Sequence, residues 1–175
     1  MKILHTSDWH VGKILKGQSR VEEQVAVLRE IVDIAAAERP DLIIVAGDLY
    51  ETAAPTADTK KIVVRALSAL RRHASAVVVI AGNHDHGAEI DALRPWADEA
   101  GITLRGSVGK AEDHLVSGVT EGGEAWRMAA LPFVSAAFLP IGMTLTRPSR
   151  TETRVPLGRS YTLNCVPTAC TTAEA

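Results

Sequence analysis

Five side chains in the first half of the chain could do chemistry together: Asp8, His10, Asp48, Asn83 and His84. They fall in three short stretches, Thr6-Ser7-Asp8-Trp9-His10, Gly47-Asp48-Leu49-Tyr50-Glu51 and Gly82-Asn83-His84-Asp85. Two carboxylates, two imidazoles and an amide oxygen form a donor set suited to a divalent transition metal. One such stretch alone says little, because Asn and Asp are ordinary turn residues. Three stretches, each leaving the end of an apolar run, make a constellation that chance turns do not readily explain.

The elements that must position these residues can be read from the pattern around them. Lys2 to His5 predicts a short strand, and Leu42-Ile43-Ile44-Val45-Ala46 and Val77-Val78-Val79-Ile80 predict two buried ones. In extended backbone Asp8 and His10, two apart, share one face. Ser19 followed by Glu22 predicts a capping box, and Val21, Val25, Leu28, Val32 and Ala35 keep helical spacing up to Pro40. Val27, Ile31 and Ile34 widen that stripe. Pro55 and Thr56 open a second helix with Ile62, Val63, Ala66, Leu67 and Leu70 on its apolar face. Arg71-Arg72-His73 gives it a positively charged, solvated end, which the helix dipole favours.

Strand, helix, strand, helix, strand is the order of a parallel sheet with crossover helices. Ligands of such sheets bind at the carboxyl ends of the strands, where all three stretches fall. Further along, Ala88 to Ala100 predicts one helix and Ile102-Thr103-Leu104 a strand. His114-Leu115-Val116 and Ala125 to Ala130 predict a hairpin joined through glycines 118, 122 and 123, with His114 on a strand in a structural role.

From about Pro132 the composition shifts to prolines and threonines without histidine or aspartate. The organisation expected is therefore an α/β domain carrying the three stretches at 1–131 and an atypical, poorly ordered tail at 132–175. Cys165 and Cys170 lack the second ligand pair of a zinc site and imply no disulfide framework.

The 175 residues carry 46% hydrophobic and 23% charged side chains, with a net charge of −2. With a sequence pI near 6.3 and mean hydropathy of +0.07, nothing global marks a nucleic-acid binder, so any DNA contact must come from a local basic patch. Lys13, Lys16 and Arg20, just past the first stretch, could hold flanking phosphates. Solvated surface charges account for them equally well. The N-terminus lacks the apolar core of a signal peptide, and no run approaches the ~18 apolar residues of a membrane span. A cytoplasmic protein without membrane contact is expected.

Asp8-x-His10, Gly47-Asp48 and Gly82-Asn83-His84-Asp85, at these separations, resemble the calcineurin-like metallophosphoesterases. The longer string His5-Thr6-Ser7-Asp8-Trp9-His10-Val11-Gly12-Lys13, with Gly47-Asp48-Leu49-Tyr50, resembles the nuclease branch of that family, the SbcD and Mre11-like proteins. The resemblance runs from residue 1 to about Pro132. It implies an α/β fold, a calcineurin-like αββα sandwich that is incomplete here on its C-terminal side. It also implies that Asp8 and His10 bind one metal, Asp48 bridges two and Asn83 binds the second, the metal usually being Mn2+. His84 would meet the scissile phosphate, oriented by Glu51, three residues past the bridging aspartate, or less readily by Asp85.

The family reaction would be phosphodiester hydrolysis at DNA ends and hairpins, with an SbcC-type ATPase and a second copy of the chain as partners. One departure stands out: the family's three later histidine ligands have no counterpart after His114, the last histidine. A phosphatase for small phosphoesters and an inactive fragment are the alternative readings.

Overall fold

The structure, a computed structural model, describes residues 1–135. In chain order it forms strands β1 (Ile3–Thr6), β2 (Ile14–Leu15) and β3 (Gln18–Ser19), helix α1 (Val21–Glu38), strand β4 (Leu42–Ala46), helix α2 (Ala57–Arg71) and strand β5 (Ala76–Ile80). Helices α3 (Gly87–Asp91) and α4 (Arg94–Glu99), strand β6 (Ile102–Arg105), a 3-10 turn at Ala111–His114 and strands β7 (Leu115–Val119) and β8 (Ala125–Ala129) follow.

Four strands make one parallel sheet in the order β1-β4-β5-β6. Parallel neighbours put Leu4, Ile43, Val45, Val77, Val79, Ile102 and Leu104 toward the helices. There they pack with Leu28, Ala35, Val63, Leu67, Leu70, Ile90 and Ala97 in the main core. The opposite face carries Leu42 and Val78, which pack against Ala130 and against Val116, Trp126 and Met128 of the β7–β8 hairpin. The α/β architecture with a parallel central sheet agrees with the sequence reading.

Five local expectations are corrected. Asp8 and His10 do not lie in extended backbone: their φ values are 56° and 46°. The capping box at Ser19 does not form, because Ser19 ends β3 and the helix is capped by Arg20 without a side-chain bond. The chain between His10 and α1, where two glycines and two lysines read as a loop, is a small hairpin. Lys16 and Gly17 both take positive φ at its two-residue turn.

The helix expected from Ala88 to Ala100 is broken into α3 and α4. Pro95 cannot donate to the carbonyl of Asp91, and its ring would clash with that group. Finally, His114 closes the 3-10 turn ahead of β7, and Gly118 lies within β7 rather than in the hairpin loop. Gly118 faces Trp126 across the hairpin, where a Cβ would stand 2.5 Å from the indole ring.

Other expectations hold. Arg39 ends α1 in the left-handed conformation just before Pro40, and the Thr56 side chain caps α2 by accepting from the Thr59 N–H. One of them holds only in part: Arg71 ends α2 as expected, but its guanidinium, rather than being solvated, donates to the Gly101 and Ala74 carbonyls. His114 is buried and structural: Nδ1 lies 3.0 Å from the Ala130 carbonyl, while Nε2 accepts from the Gly109 N–H at 2.8 Å. Of the segment 132–175, residues 136–175 with both cysteines lie outside the described residues.

Candidate metal centre

The carboxyl ends of β1, β4 and β5 continue past the sheet as three loops tied to one another by their main chains. Asp8 N donates to the Gly47 carbonyl at 3.2 Å, His10 N to Asp48 at 2.8 Å and Val11 N to Leu49 at 3.0 Å. Gly47 N donates to the Ile80 carbonyl at 2.9 Å, which joins the second loop to β5. Two glycines let the second and third loops touch. A Cβ on Gly82 would stand 2.1 Å from Asp48 Oδ1 and 2.3 Å from its main-chain nitrogen, and one on Gly47 would stand 3.1 Å from the Gly82 Cα.

Asp8, His10 and Asp48 all have positive φ, as does Gly47 at 85°. Positive φ is uncommon outside glycine, though Asp and His tolerate it better than most residues. Left-handed backbone of this kind clusters where function requires a set geometry.

The result is a compact group of donors. One ligand atom each from His10, Asp48 and His84 lies within 4.8 Å of the other two. Asp48 is buried; its Oδ1 accepts the His84 main-chain N–H at 2.9 Å, and its Oδ2 lies 3.7 Å from His10 Nε2. Asp8 Oδ1 lies 3.9 Å from the same nitrogen on a largely exposed side chain. The imidazoles of His10 and His84 meet edge to face with centroids 4.9 Å apart. Asn83 is exposed on the third loop between Gly82 and His84.

Glu51 touches both histidines with different atoms. Its main-chain carbonyl takes the His84 Nδ1 contact at 2.9 Å, whereas its carboxylate lies 2.9 Å from His10 Nδ1 and 3.4 Å from Lys13 Nζ. The side-chain orienter of His84 expected at Glu51 is thus replaced by the Glu51 backbone. Asp85 does not reach His84 either. Its carboxylate accepts from the main-chain N–H groups of Leu49 at 3.1 Å, Tyr50 at 3.0 Å and Gly82 at 2.8 Å, stapling the second loop to the third.

Two residues that the sequence reading passed over support the site. Gln24 of α1 accepts from Gly12 N at 3.0 Å and donates to the His10 carbonyl, holding the first loop. Its one sequence signal is a polar residue at an inward helical position between Val21 and Leu28. Trp9 is buried and donates to Thr6 Oγ1 at 2.9 Å. Of the three expected phosphate contacts, Lys13 pairs with Glu51, Lys16 is exposed at the hairpin turn, and Arg20 pairs with Glu23.

The electrostatics favour a protonated His84. Its hydrogen bond to the Glu51 carbonyl raises its pKa above the ordinary histidine value. Desolvation and Lys13 oppose this, while the Asp48 and Glu51 carboxylates reinforce it. Buried Tyr50 is pushed up to about 12 by desolvation, with the Asp85 carboxylate adding to the effect. Imidazole and carboxylate donors this close fit one divalent cation held by His10 and Asp48, with Asp8 at the rim and His84 beside it.

A family model described as calcineurin-like phosphoesterase matches residues 1–130. The SbcD subunit of the nuclease SbcCD from Bacillus subtilis (strain 168) is 41% identical over 140 residues, covering 79% of this chain and 35% of that protein. Its counterpart in the SbcCD nuclease of Staphylococcus saprophyticus is 35% identical over 106 residues, covering 60% of this chain and 28% of that protein. The chain thus spans about a third of the length of these relatives.

Proposed function

This chain belongs to the calcineurin-like phosphoesterase family, and from that premise we propose that it forms the first half of the active site of a metal-dependent DNA nuclease. The single observation that carries the reading is the convergence of His10, Asp48 and His84 at the ends of three successive parallel strands. Similarity to proteins named as parts of a nuclease supports a phosphodiester as the substrate class; DNA ends or hairpins as its form, with an ATPase-type protein and a second copy of the chain as partners, complete the proposal. A cytoplasmic location is part of the same proposal. No helix among the described residues is long and apolar enough to cross a membrane.

Asp8, His10 and Asp48 would hold a first cation, manganese being the proposed ion, and Asp48 and Asn83 would contribute to a second. A bound divalent cation supplies Lewis-acid polarisation of a phosphoryl oxygen. The remaining roles belong to the chain itself. Asp48, fixed through Oδ1 by the His84 N–H, presents Oδ2 inward. His84, exposed and with its pKa raised, would meet the phosphate and pass a proton to the leaving oxygen. Lys16, at the tip of the β2–β3 hairpin, can meet a neighbouring phosphate by swinging its long side chain.

Two cations need more ligands than these residues provide, so the chain as it stands should bind at most one manganese ion, weakly, with little turnover. Calorimetric titration of manganese into the purified chain should show that single site, and Asp48→Ala should abolish it. Linear duplex DNA and a chromogenic phosphoester, each with excess manganese, test turnover against the same control. Cleavage of DNA well above the Asp48→Ala level would show that further residues complete the site. Turnover confined to the small ester would favour a phosphatase, and no manganese binding would overturn the metal reading.

A further inference from the structure

The two imidazoles of the pocket share an arrangement that the metal reading alone does not require: each turns Nδ1 toward one residue, Glu51. His84 Nδ1 lies 2.9 Å from the Glu51 main-chain carbonyl, which can only accept, so this nitrogen carries the proton and Nε2 is left for the pocket. His10 Nδ1 lies 2.9 Å from Glu51 Oε2, and His10 Nε2 faces Asp48 at 3.7 Å and Asp8 at 3.9 Å. The carboxylate stands off the line of the ring N–H, so His10 Nδ1, though buried, has no aligned hydrogen bond among the described residues. At 2.9 Å, the Glu51 carboxylate is the group that could take this proton once its oxygen turns onto the N–H line. The residue is well placed for this task. Its own N–H donates to the Val11 carbonyl at 3.2 Å, which fixes the second loop against the first, and Lys13 Nζ sits 3.4 Å from the same carboxylate oxygen.

We propose that Glu51 is the positioning residue for both histidines, setting the tautomer of His10 through its side chain and that of His84 through its main chain. The consequence is an asymmetry that mutation can expose. Replacing the side chain removes the partner of His10 and leaves the partner of His84 in place. A carboxylate behind a metal-binding imidazole fixes its tautomer and raises its basicity, and losing such a partner typically costs about 10–100-fold in metal affinity. Lys13 takes a different part from the phosphate contact expected of it, pairing with the carboxylate and helping to hold it in place. This inference rests on the metal reading for its affinity effect but not for its tautomer effect.

The test uses the whole chain labelled with 15N and long-range proton–nitrogen spectra of its histidine rings without metal, followed by calorimetry with manganese. In the unaltered protein, His10 and His84 should both show a protonated Nδ1 and an unprotonated Nε2 once the pH is above their titration. His114 provides an internal standard, since its bonds to Ala130 and Gly109 fix the same tautomer through residues other than Glu51. In Glu51→Ala, His10 should move toward a mixture of tautomers while His84 and His114 stay unchanged, and manganese affinity should fall about 10–100-fold. Glu51→Gln keeps an acceptor oxygen and should restore the His10 tautomer and much of the affinity. An Nε2–H tautomer for His10 in the unaltered protein would overturn the proposal, as would a His10 spectrum indifferent to Glu51→Ala. Equal shifts of His10 and His84 would reduce Glu51 to a general support of the loop and also overturn it. If manganese fails to bind the unaltered chain, the metal reading falls while the ring spectra still decide the tautomer proposal.

Discussion

The helix-facing side of the sheet and the loops at its carboxyl edge lie a few residues apart in sequence yet follow opposite physics. On the helix side Val45, Val63, Leu67, Val79 and Leu104 are fully buried on regular strands and helices, and their stabilisation comes from apolar area removed from water. At the edge, three of the five non-glycine residues with positive φ among those described are Asp8, His10 and Asp48, beside a buried carboxylate and a buried, unaligned imidazole nitrogen. Each feature costs stability where it stands. The edge is held instead by directed bonds, with Asp85, Gln24 and the paired main chains taking the place of packing. The contrast suggests that the sheet supplies stability and the loops spend part of it on geometry.

The comparison can be broken first where the expected effect is largest. Leu67→Ala, deep under α2, should lose about 2–5 kcal/mol, the range for emptying a leucine site in a core. Manganese binding per folded molecule should be unaltered. Urea denaturation followed by calorimetry checks both, and a metal defect in the folded variant would mean that core and loops are not separable. Gly82→Ala should do the reverse. Its Cβ would strike the Asp48 main-chain nitrogen at 2.3 Å, which no side-chain rotation relieves. A loss of about 1–3 kcal/mol is expected, the usual range for overpacking, together with loss of manganese binding, because Asp48 must move. Retention of full affinity would show that the loops tolerate more displacement than their contacts imply.

How much could be read from the sequence follows the same division. Apolar runs and helical spacing disclosed β4, β5, α1 and α2 because burial leaves a periodic trace. The break at Pro95 was equally visible in principle, since the clash with the Asp91 carbonyl is a local rule. Of the candidate site, the grouping of His10, Asp48 and His84 was legible by type, because few other arrangements place such residues after three successive strands. Their geometry was not. Left-handed backbone at Asp8 and His10 leaves no pattern, since both residues also suit extended chain. Glycines 47 and 82 signalled turns, whereas what they provide is close approach between neighbouring loops. The choice of Glu51 by His10 depends on which rotamer its carboxylate takes, and spacing along the chain does not encode that.

The smallest expected effect lies where the two regions meet, at Tyr50, which packs in the core while its main-chain N–H belongs to the Asp85 staple. Its side chain is 2% exposed, and the hydroxyl is buried without a hydrogen-bond partner among the described residues. Burial disfavours the charged phenolate, and the nearby Asp85 carboxylate disfavours it further, which together push the phenol up to about 12. In the unfolded chain the same group titrates near ~10. The folded value being the higher, the contribution to stability is complete below about pH 10, where both states hold the proton. It is lost as pH rises toward about 12, because the unfolded chain releases its proton first. Tyr50→Phe removes that dependence. It also removes an unpartnered hydroxyl, so stability at neutral pH should stay the same or rise, by no more than about 1 kcal/mol. Urea midpoints of the two proteins from pH 8 to 12 should run parallel up to about pH 10 and diverge above it, the phenylalanine variant losing less. Parallel curves throughout would mean that water reaches the hydroxyl from the loop side, and that Tyr50 belongs with the edge rather than with the core.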